Sequence, residues 1–127
     1  MSAKKIYHTE EERQEARRIA RRKWEILNPD KWELQKRNQR LKRRYGIKLD
    51  EYDELFTSQK GLCAICHNPP KGIHSSGRAH ILHVDHCHTT GKIRGLLCTA
   101  CNQALGMFKE DIGILKKAME YINANSR

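Results

Sequence analysis

The sequence predicts a mainly helical α+β protein whose small core is stabilised by zinc. Helix-start and helix-stop signals occur over residues 9–60 and again beyond residue 98, with two short strand-like segments between them. Four of the five cysteines form two Cys-x-x-Cys pairs, a pattern that indicates a metal site in a reducing compartment. Only 38% of the residues are hydrophobic, and cores this small commonly need a metal or disulfides.

Positive charge is concentrated in the first half of the chain. The 127 residues include 25 Lys or Arg and 15 Asp or Glu, and residues 1–48 account for +9 of the net charge of +10. We therefore divide the chain into a basic helical extension over residues 1–48, for DNA binding or dimerisation, and a zinc-stabilised unit with a C-terminal helix over residues 49–127. The charge indicates a polyanionic partner, nucleic acid before an acidic membrane surface.

Membrane insertion is not expected. No apolar run approaches the ~18 residues that a membrane-spanning helix needs, and the N-terminus lacks an apolar signal core. We expect a soluble, cytoplasmic protein.

The basic half is predicted to form two helices. Thr9 and Glu12 have the spacing of a capping box for a helix that ends near Leu27, and Asn28-Pro29 fits the start of a second helix that Gly46 ends. The basic side chains are either a solvated face or phosphate contacts, and phosphate contact is favoured. The candidate DNA-binding residues on these helices are Arg17, Arg21, Arg37, Arg40, Arg43 and Arg44.

The second half alternates between helices and strands. The predicted elements are a helix over Asp50–Lys60, a loop over 67–79, strands over His80–His86 and Lys92–Leu97, a helix that Thr99 caps and that ends at Phe108, and a helix that Asp111 caps and that ends at Ile122. In the first of these helices Tyr52, Leu55 and Phe56 are expected to face inward.

The two Cys-x-x-Cys pairs predict one structural zinc site. Each pair presents two sulfurs to a single ion, and two pairs complete a tetrahedral shell with no open position. The ligands would be Cys63, Cys66, Cys98 and Cys101. The alternative is a redox Cys-x-x-Cys, but no thioredoxin-like pattern surrounds either pair.

The segment between the pairs contains His83-Val84-Asp85-His86-Cys87-His88. In a strand, His86 and His88 would share one face and Asp85 would lie on the other, so Asp85 and His86 can converge only at a bend. A neutral imidazole can act as a general base and a carboxylate can hold a divalent cation, which together suit phosphodiester hydrolysis. The alternatives are an extension of the zinc site and purely structural histidines.

In combination these motifs resemble the phage recombination endonuclease VII family and its HNH (His-Me finger) relatives. The resemblance covers about residues 45–108 and rests on Cys63-x-x-Cys66, His83-Val84-Asp85-His86-Cys87-His88, Gly91-Lys92-Ile93-Arg94-Gly95-Leu96-Leu97-Cys98 and Cys101-Asn102. It implies a ββα-metal core and a metal-dependent DNA endonuclease that leaves 5′-phosphate and 3′-hydroxyl ends. If the chain is phage-encoded, it would act in the host cytoplasm.

The resemblance also implies roles for single residues. Asp85 and Asn102 would bind a catalytic Mg²⁺ or Mn²⁺, His86 would be the general base, and His88 would contact the phosphate or the leaving group. His83 would support the site, and Arg94 is either a phosphate contact or an exposed strand cation. Cys87 stands where the family's resolvase carries an acidic residue, so rate or metal preference could differ.

Two versions of the activity fit the resemblance. A resolvase of branched DNA would be a homodimer, because resolution needs two symmetric cuts, whereas a nicking enzyme for duplex DNA could act as a monomer. A reading from a different class is a non-catalytic zinc-stabilised DNA-binding protein. That protein would need the zinc site and the basic helices but not Asp85, His86 and Asn102 together.

Overall fold

The computed structural model describes residues 6–72 and 81–126, and the prediction of a mainly helical α+β fold is confirmed there. The described elements are α1 (Glu10–Leu27), α2 (Pro29–Tyr45), α3 (Leu49–Ser58), β1 (His83–His86), β2 (Ile93–Leu97), α4 (Thr99–Met107) and α5 (Ile112–Ala124). Within these ranges no helix is both long enough and apolar enough to span a membrane.

The first two helices begin and end at the predicted residues. The hydroxyl of Thr9 accepts from the Glu12 backbone N–H at 3.1 Å, and the Glu12 carboxylate accepts from the Thr9 N–H at 3.3 Å, so the capping box is present. Gly46 ends α2 with φ of 72°, a left-handed conformation that glycine adopts without strain. Asn28 differs from expectation: its side chain makes no cap bond to α2 and donates to the Trp24 carbonyl at the end of α1.

One small core joins both halves of the chain. Leu41 and Ile47 from the first half are buried with residues of α3, β1, β2 and the first cysteine pair; the full set is Leu41, Ile47, Tyr52, Cys63, Leu82, Val84, Leu96 and Leu97. Tyr52 donates its hydroxyl proton to the Leu82 carbonyl at 2.6 Å, which fixes α3 against the chain just before β1.

The prediction that Phe56 faces inward is wrong. Its ring is 40% exposed and stacks beside Tyr52, with 6.5 Å between the ring centroids. The short helix directs Tyr52 into the core, and Phe56 one turn later lies at the core's edge. There it covers Gly61, where an added Cβ would lie only 3.0 Å from the Phe56 ring.

The sheet is an antiparallel pair with an irregular register. His83 pairs with Leu97, Val84 with Leu96 and Asp85 with Gly95, but His86 pairs with Ile93. Arg94 is therefore an extra residue in β2, and the ladder shifts between Asp85 and His86, as in a β-bulge. The strand predicted from His80 begins at His83 instead, and His80, like most of the predicted loop, lies outside the described residues.

The last two helices begin at caps of different kinds. Asp111 caps α5 as predicted, because its carboxylate accepts from the Ile114 N–H at 3.0 Å. The predicted Thr99 cap of α4 is wrong: the N-cap is Cys98, whose sulfur accepts from the Cys101 N–H at 3.4 Å, and Thr99 is the first helical residue. The second cysteine pair thus forms the start of α4.

Candidate metal and catalytic site

Four cysteine sulfurs lie together as the spacing predicted. The sulfurs of Cys63, Cys66, Cys98 and Cys101 all lie within 4.8 Å of one another, and those of Cys66 and Cys98 are 3.8 Å apart. Zn–S bonds of about 2.3 Å in a tetrahedron put sulfurs about 3.8 Å apart. The donor set and its dimensions therefore fit a structural zinc ion, and Cys87 is not part of this cluster.

Two thiols of this cluster, those of Cys63 and Cys101, have pKa values shifted in opposite directions. Burial together with the neighbouring sulfurs raises the pKa of Cys101 to about 12. Burial also acts on Cys63, but hydrogen bonds from the backbone of Cys66 and Cys98 outweigh it and lower its pKa to about 6. Cys63 therefore loses its proton readily and Cys101 does not. A bound dication would favour the thiolate form of both residues.

Gln59 attaches the first cysteine pair to β2. Its side-chain amide donates to the Leu62 and Leu96 carbonyls at 2.8 and 2.9 Å, and its amide oxygen accepts from the Leu96 N–H at 2.8 Å. Ala64 adds a backbone bond to the Leu96 carbonyl at 3.0 Å. The sulfur cluster is thus fixed to the strand that pairs with β1, and through it to the histidine segment.

Asp85 lies at the register shift and is held by Arg94. The carboxylate is buried, and the guanidinium donates to both of its oxygens, at 2.7 and 3.0 Å. Arg94 also reaches the Glu110 carboxylate at 3.2 Å and the His86 carbonyl at 3.3 Å. The bonds to Asp85 raise the pKa of Arg94 above its ordinary value, so the guanidinium stays charged.

The histidine rings continue this network. The His88 Nδ1 lies 3.5 Å from the Glu110 carboxylate, and the His86 and His88 rings are 4.9 Å apart between centroids. The Tyr45 ring meets His86 edge-on at 5.4 Å. Asp85, His86 and His88 therefore belong to one contiguous polar network that Arg94 and Glu110 connect.

His83 lies on β1 and Asn102 lies on α4. His83 Nε2 is 3.1 Å from the Thr99 hydroxyl, which ties β1 to the start of α4. Asn102 is half-buried on α4, and its backbone N–H donates to the Cys98 carbonyl. Among the described residues, no hydrogen bond joins the Asn102 amide group to Asp85, whose two carboxylate oxygens both accept from Arg94.

The candidate DNA-binding arginines differ in their surroundings. Arg21 pairs with Glu25 at 2.8 Å and lies over the Trp32 ring, and Arg37 lies 4.8 Å over the Tyr52 ring. The others on the two helices are exposed, namely Arg17, Arg40, Arg43 and Arg44. The last three lie on the part of α2 that ends at Tyr45, the residue that touches His86.

Sequence reasoning missed three residues of this site. Glu110 lies in the turn between α4 and α5 with a positive φ of 56° and carries no motif spacing. Tyr45 and Gln59 contribute through contacts with residues that are far from them in sequence. The signal that could have suggested Glu110 is its position next to the helix cap Asp111, where the chain turns back towards β2.

Comparison with known proteins identifies the family. The model of recombination endonuclease VII matches residues 38–124, which is more than half of the chain and includes the sulfur cluster, the hairpin and Glu110. The chain belongs to the recombination endonuclease VII family.

Two phage proteins are similar over part of their length. The Gene 59 protein of Mycobacterium phage L5 is 43% identical over 79 residues, and the Gene 59 protein of Mycobacterium phage D29 is 40% identical over 79 residues. These matches cover 61% of this chain and 44% of each relative. The chain thus spans less than half the length of these relatives.

Proposed function

We propose that this protein is a metal-dependent DNA endonuclease with an HNH (His-Me finger) ββα-metal core. The observation that carries the proposal is the network that joins Asp85, His86 and His88 through Arg94 and Glu110. A protein that only binds DNA has no need of a buried carboxylate beside two histidines. Family membership supports phosphodiester hydrolysis, for which we propose products with 5′-phosphate and 3′-hydroxyl ends.

Asp85 and Asn102 are the proposed ligands of Mg²⁺ or Mn²⁺. Both offer oxygen atoms, which these hard cations prefer. Asp85 fits the role because its buried carboxylate is already stabilised by a positive group, Arg94. When bound, the cation would stabilise charge on the scissile phosphate and on the departing 3′ oxygen. Its binding requires Asp85 to give up at least one bond to Arg94.

His86 is the proposed general base. Its ring is half-buried and contacts the rings of Tyr45 and His88, which limit its rotation. In the neutral form it can take a proton from an attacking water. His88 would contact the phosphate or leaving group with its orientation set by Glu110, and His83 would support β1 through Thr99.

DNA would approach along the end of α2. Arg40, Arg43 and Arg44 are exposed there, and α2 ends at Tyr45 against His86. Phosphate contacts on these side chains would lead a strand to the catalytic histidine, in keeping with the sequence-independent way that basic groups hold DNA. Arg94 would join them once Asp85 binds a cation, and Arg17, Arg21 and Arg37 would extend the footprint.

Two DNA substrates are proposed for this activity. A resolvase of branched DNA would act as a homodimer, and a nicking enzyme would act as a monomer on duplex DNA. Comparing cleavage of a four-way junction with that of a linear duplex of the same sequence, together with the mass in solution, separates them.

A plasmid-nicking assay tests the nuclease proposal. The zinc-loaded wild type should convert supercoiled plasmid to the nicked form only when Mg²⁺ or Mn²⁺ is added. His86→Ala should lower the rate by at least ~100-fold, the contribution of general acid–base catalysis, without releasing zinc. His8→Ala is the control variant: it removes an exposed histidine just before α1 and should cut at the wild-type rate. Absence of metal-dependent nicking by the wild type would leave the zinc-stabilised DNA-binding protein as the better description.

A further inference from the structure

The two tryptophans of the chain line one cleft between α1 and α2. The cleft has a volume of about 650 Å³, within the ~300–1,000 Å³ of pockets that hold small ligands. Its lining residues are Arg21, Trp24, Lys31, Trp32, Gln35 and Gln39. The described lining therefore combines aromatic rings, cations and amides, and it contains no carboxylate.

Neither tryptophan belongs to the buried core cluster. No residue of α1 is buried, and Trp24 is 40% exposed. The buried cluster begins at Leu41, near the end of α2, and draws its other members from later in the chain. Large aromatic rings that remain accessible without serving a core indicate a binding surface.

The ring of Trp32 orders cations beside the cleft. The guanidinium of Arg21 lies 5.1 Å from its centroid and the Lys36 ammonium lies 5.5 Å from it. Such contacts hold a cation at an aromatic face. Arg21 is also paired with Glu25 at 2.8 Å, which orients its guanidinium but offsets part of its charge. The cleft thus presents ordered positive groups next to the accessible Trp24 ring.

We propose that this cleft binds unpaired bases of a DNA single strand. Trp24 stacks on a base, Arg21 and Lys31 contact the flanking phosphates, and the amides of Gln35 and Gln39 bond to base edges. Stacking platforms set in a basic groove are a general solution for single-stranded DNA. The inference rests on the proposed nuclease function and deepens it, because branched DNA with flaps or gaps has unpaired bases near the branch point.

Charge favours DNA over a second copy of the chain. The helix α2 carries seven Lys or Arg and two acidic residues, and the whole chain carries +10. Two such faces would repel each other, whereas a single strand supplies both the negative charge and the planar rings that the cleft accommodates.

The chain's own fluorescence provides the test, because both of its tryptophans lie in the cleft. The zinc-loaded protein is titrated with an oligothymidylate about ten nucleotides long, in buffer without added Mg²⁺ or Mn²⁺, and separately with a blunt-ended, fully paired duplex about ten base pairs long. The single strand should quench the emission with saturation, and the duplex should quench it far less. Equal quenching by both, or none by either, would overturn the proposal.

Variants then separate stacking from general charge. Trp24→Ala should weaken binding of a labelled oligothymidylate by about tenfold, the scale of one lost stacked base. Arg21→Ala should weaken it more than Arg22→Ala, which removes the same charge from the adjacent position outside the lining. Equal losses for the two arginine variants would show a diffuse electrostatic effect and contradict the assignment.

A sedimentation measurement of the wild type and Trp24→Ala tests whether a second copy of the chain occupies the cleft instead. A dimer that the substitution dissociates would assign the cleft to a second copy and overturn the proposal. A failure of the nicking assay would not affect these results, since they need no cleavage. Conversely, nicking without quenching would leave the nuclease proposal in place and remove this one.

Discussion

Arg94 and a catalytic cation compete for the same carboxylate, which makes Arg94→Gln the most informative substitution. The guanidinium now holds both oxygens of Asp85, at 2.7 and 3.0 Å. A cation that binds Asp85 must displace at least one of these bonds, so its observed affinity includes the cost of that displacement. Gln keeps a polar side chain of intermediate length but removes the positive charge.

The expected change follows from the strength of the bond that is lost. A hydrogen bond to a charged group contributes about 1.5–3 kcal/mol when buried, and an exposed ion pair about 0–1 kcal/mol. The side chains of Asp85 and Arg94 are 10% and 38% exposed, so we take about 1.5–2 kcal/mol. At 1.4 kcal/mol per tenfold, Arg94→Gln should tighten Mn²⁺ binding by about 10–30-fold.

The measurement is Mn²⁺ binding to the zinc-loaded protein without DNA, by electron paramagnetic resonance of the free ion. Arg43→Gln is the matched control, because it removes the same charge from an exposed position on α2. Arg94→Gln should also lose activity, since we propose that Arg94 contacts the phosphate during cleavage. Equal Mn²⁺ affinities for the two variants would refute the competition, and an Asp85→Asn variant that still binds Mn²⁺ would remove Asp85 from the ligand set.

Three further predictions concern the framework of the site. Cys101→Ser should lower the zinc content, measured by elemental analysis, from about one ion per chain to well below one, because it breaks the four-sulfur shell. The cooperative unfolding transition should be lost with it. Cys87→Ser, which lies outside the cluster, should keep its zinc. Tyr52→Phe should lower the free energy of unfolding in urea by about 1–2 kcal/mol, since the Leu82 carbonyl loses its 2.6 Å partner in a buried position, whereas Tyr121→Phe, at a 72% exposed ring, should change it by less than about 0.5 kcal/mol. Gly95→Ala should lower the free energy of unfolding by about 1–3 kcal/mol in the same assay, because the new Cβ would lie 3.2 Å from the Gln59 amide oxygen and 3.6 Å from the Ala64 Cβ. A free energy of unfolding equal to that of the wild type would show that Gln59 can move away.

The sequence predicted those parts of the fold that local chemistry determines. The Thr9 capping box, the proline at the start of α2, Gly46 and the Asp111 cap all act within one helical turn, so each helix end could be read from a few neighbouring residues. The four-sulfur cluster was equally accessible, because two Cys-x-x-Cys pairs have few geometries that serve one ion. Errors arose where a residue had two possible partners. Asn28 bonds back to α1, and Cys98 takes the cap that was assigned to Thr99.

The parts that could not be predicted depend on contacts between distant segments. The sequence places Glu110 and Arg94 sixteen positions apart, in a turn and a strand, and no periodicity relates them. Their 3.2 Å contact follows from the path of the turn between α4 and α5, which only the packed chain defines. The same holds for Tyr45 beside His86. The roles proposed for Asp85, His86, His88 and Asn102 still rest on the resemblance and the proposed chemistry, and they stay predictions.

The sulfur cluster and the proposed catalytic residues are coupled through Leu96. Its backbone is bonded to Gln59 and Ala64 beside the first cysteine pair, and it pairs with Val84, the neighbour of Asp85. Two residues earlier in the same strand, Arg94 forms the bulge that turns its guanidinium onto Asp85. Because the bulge lies between the ladder and the hairpin turn, its register depends on the fixed end at Leu96. Loss of zinc should therefore let β1, which carries Asp85, move relative to α4, which carries Asn102. Zinc-free protein should then bind Mn²⁺ more weakly, because the two proposed ligands no longer converge on one ion.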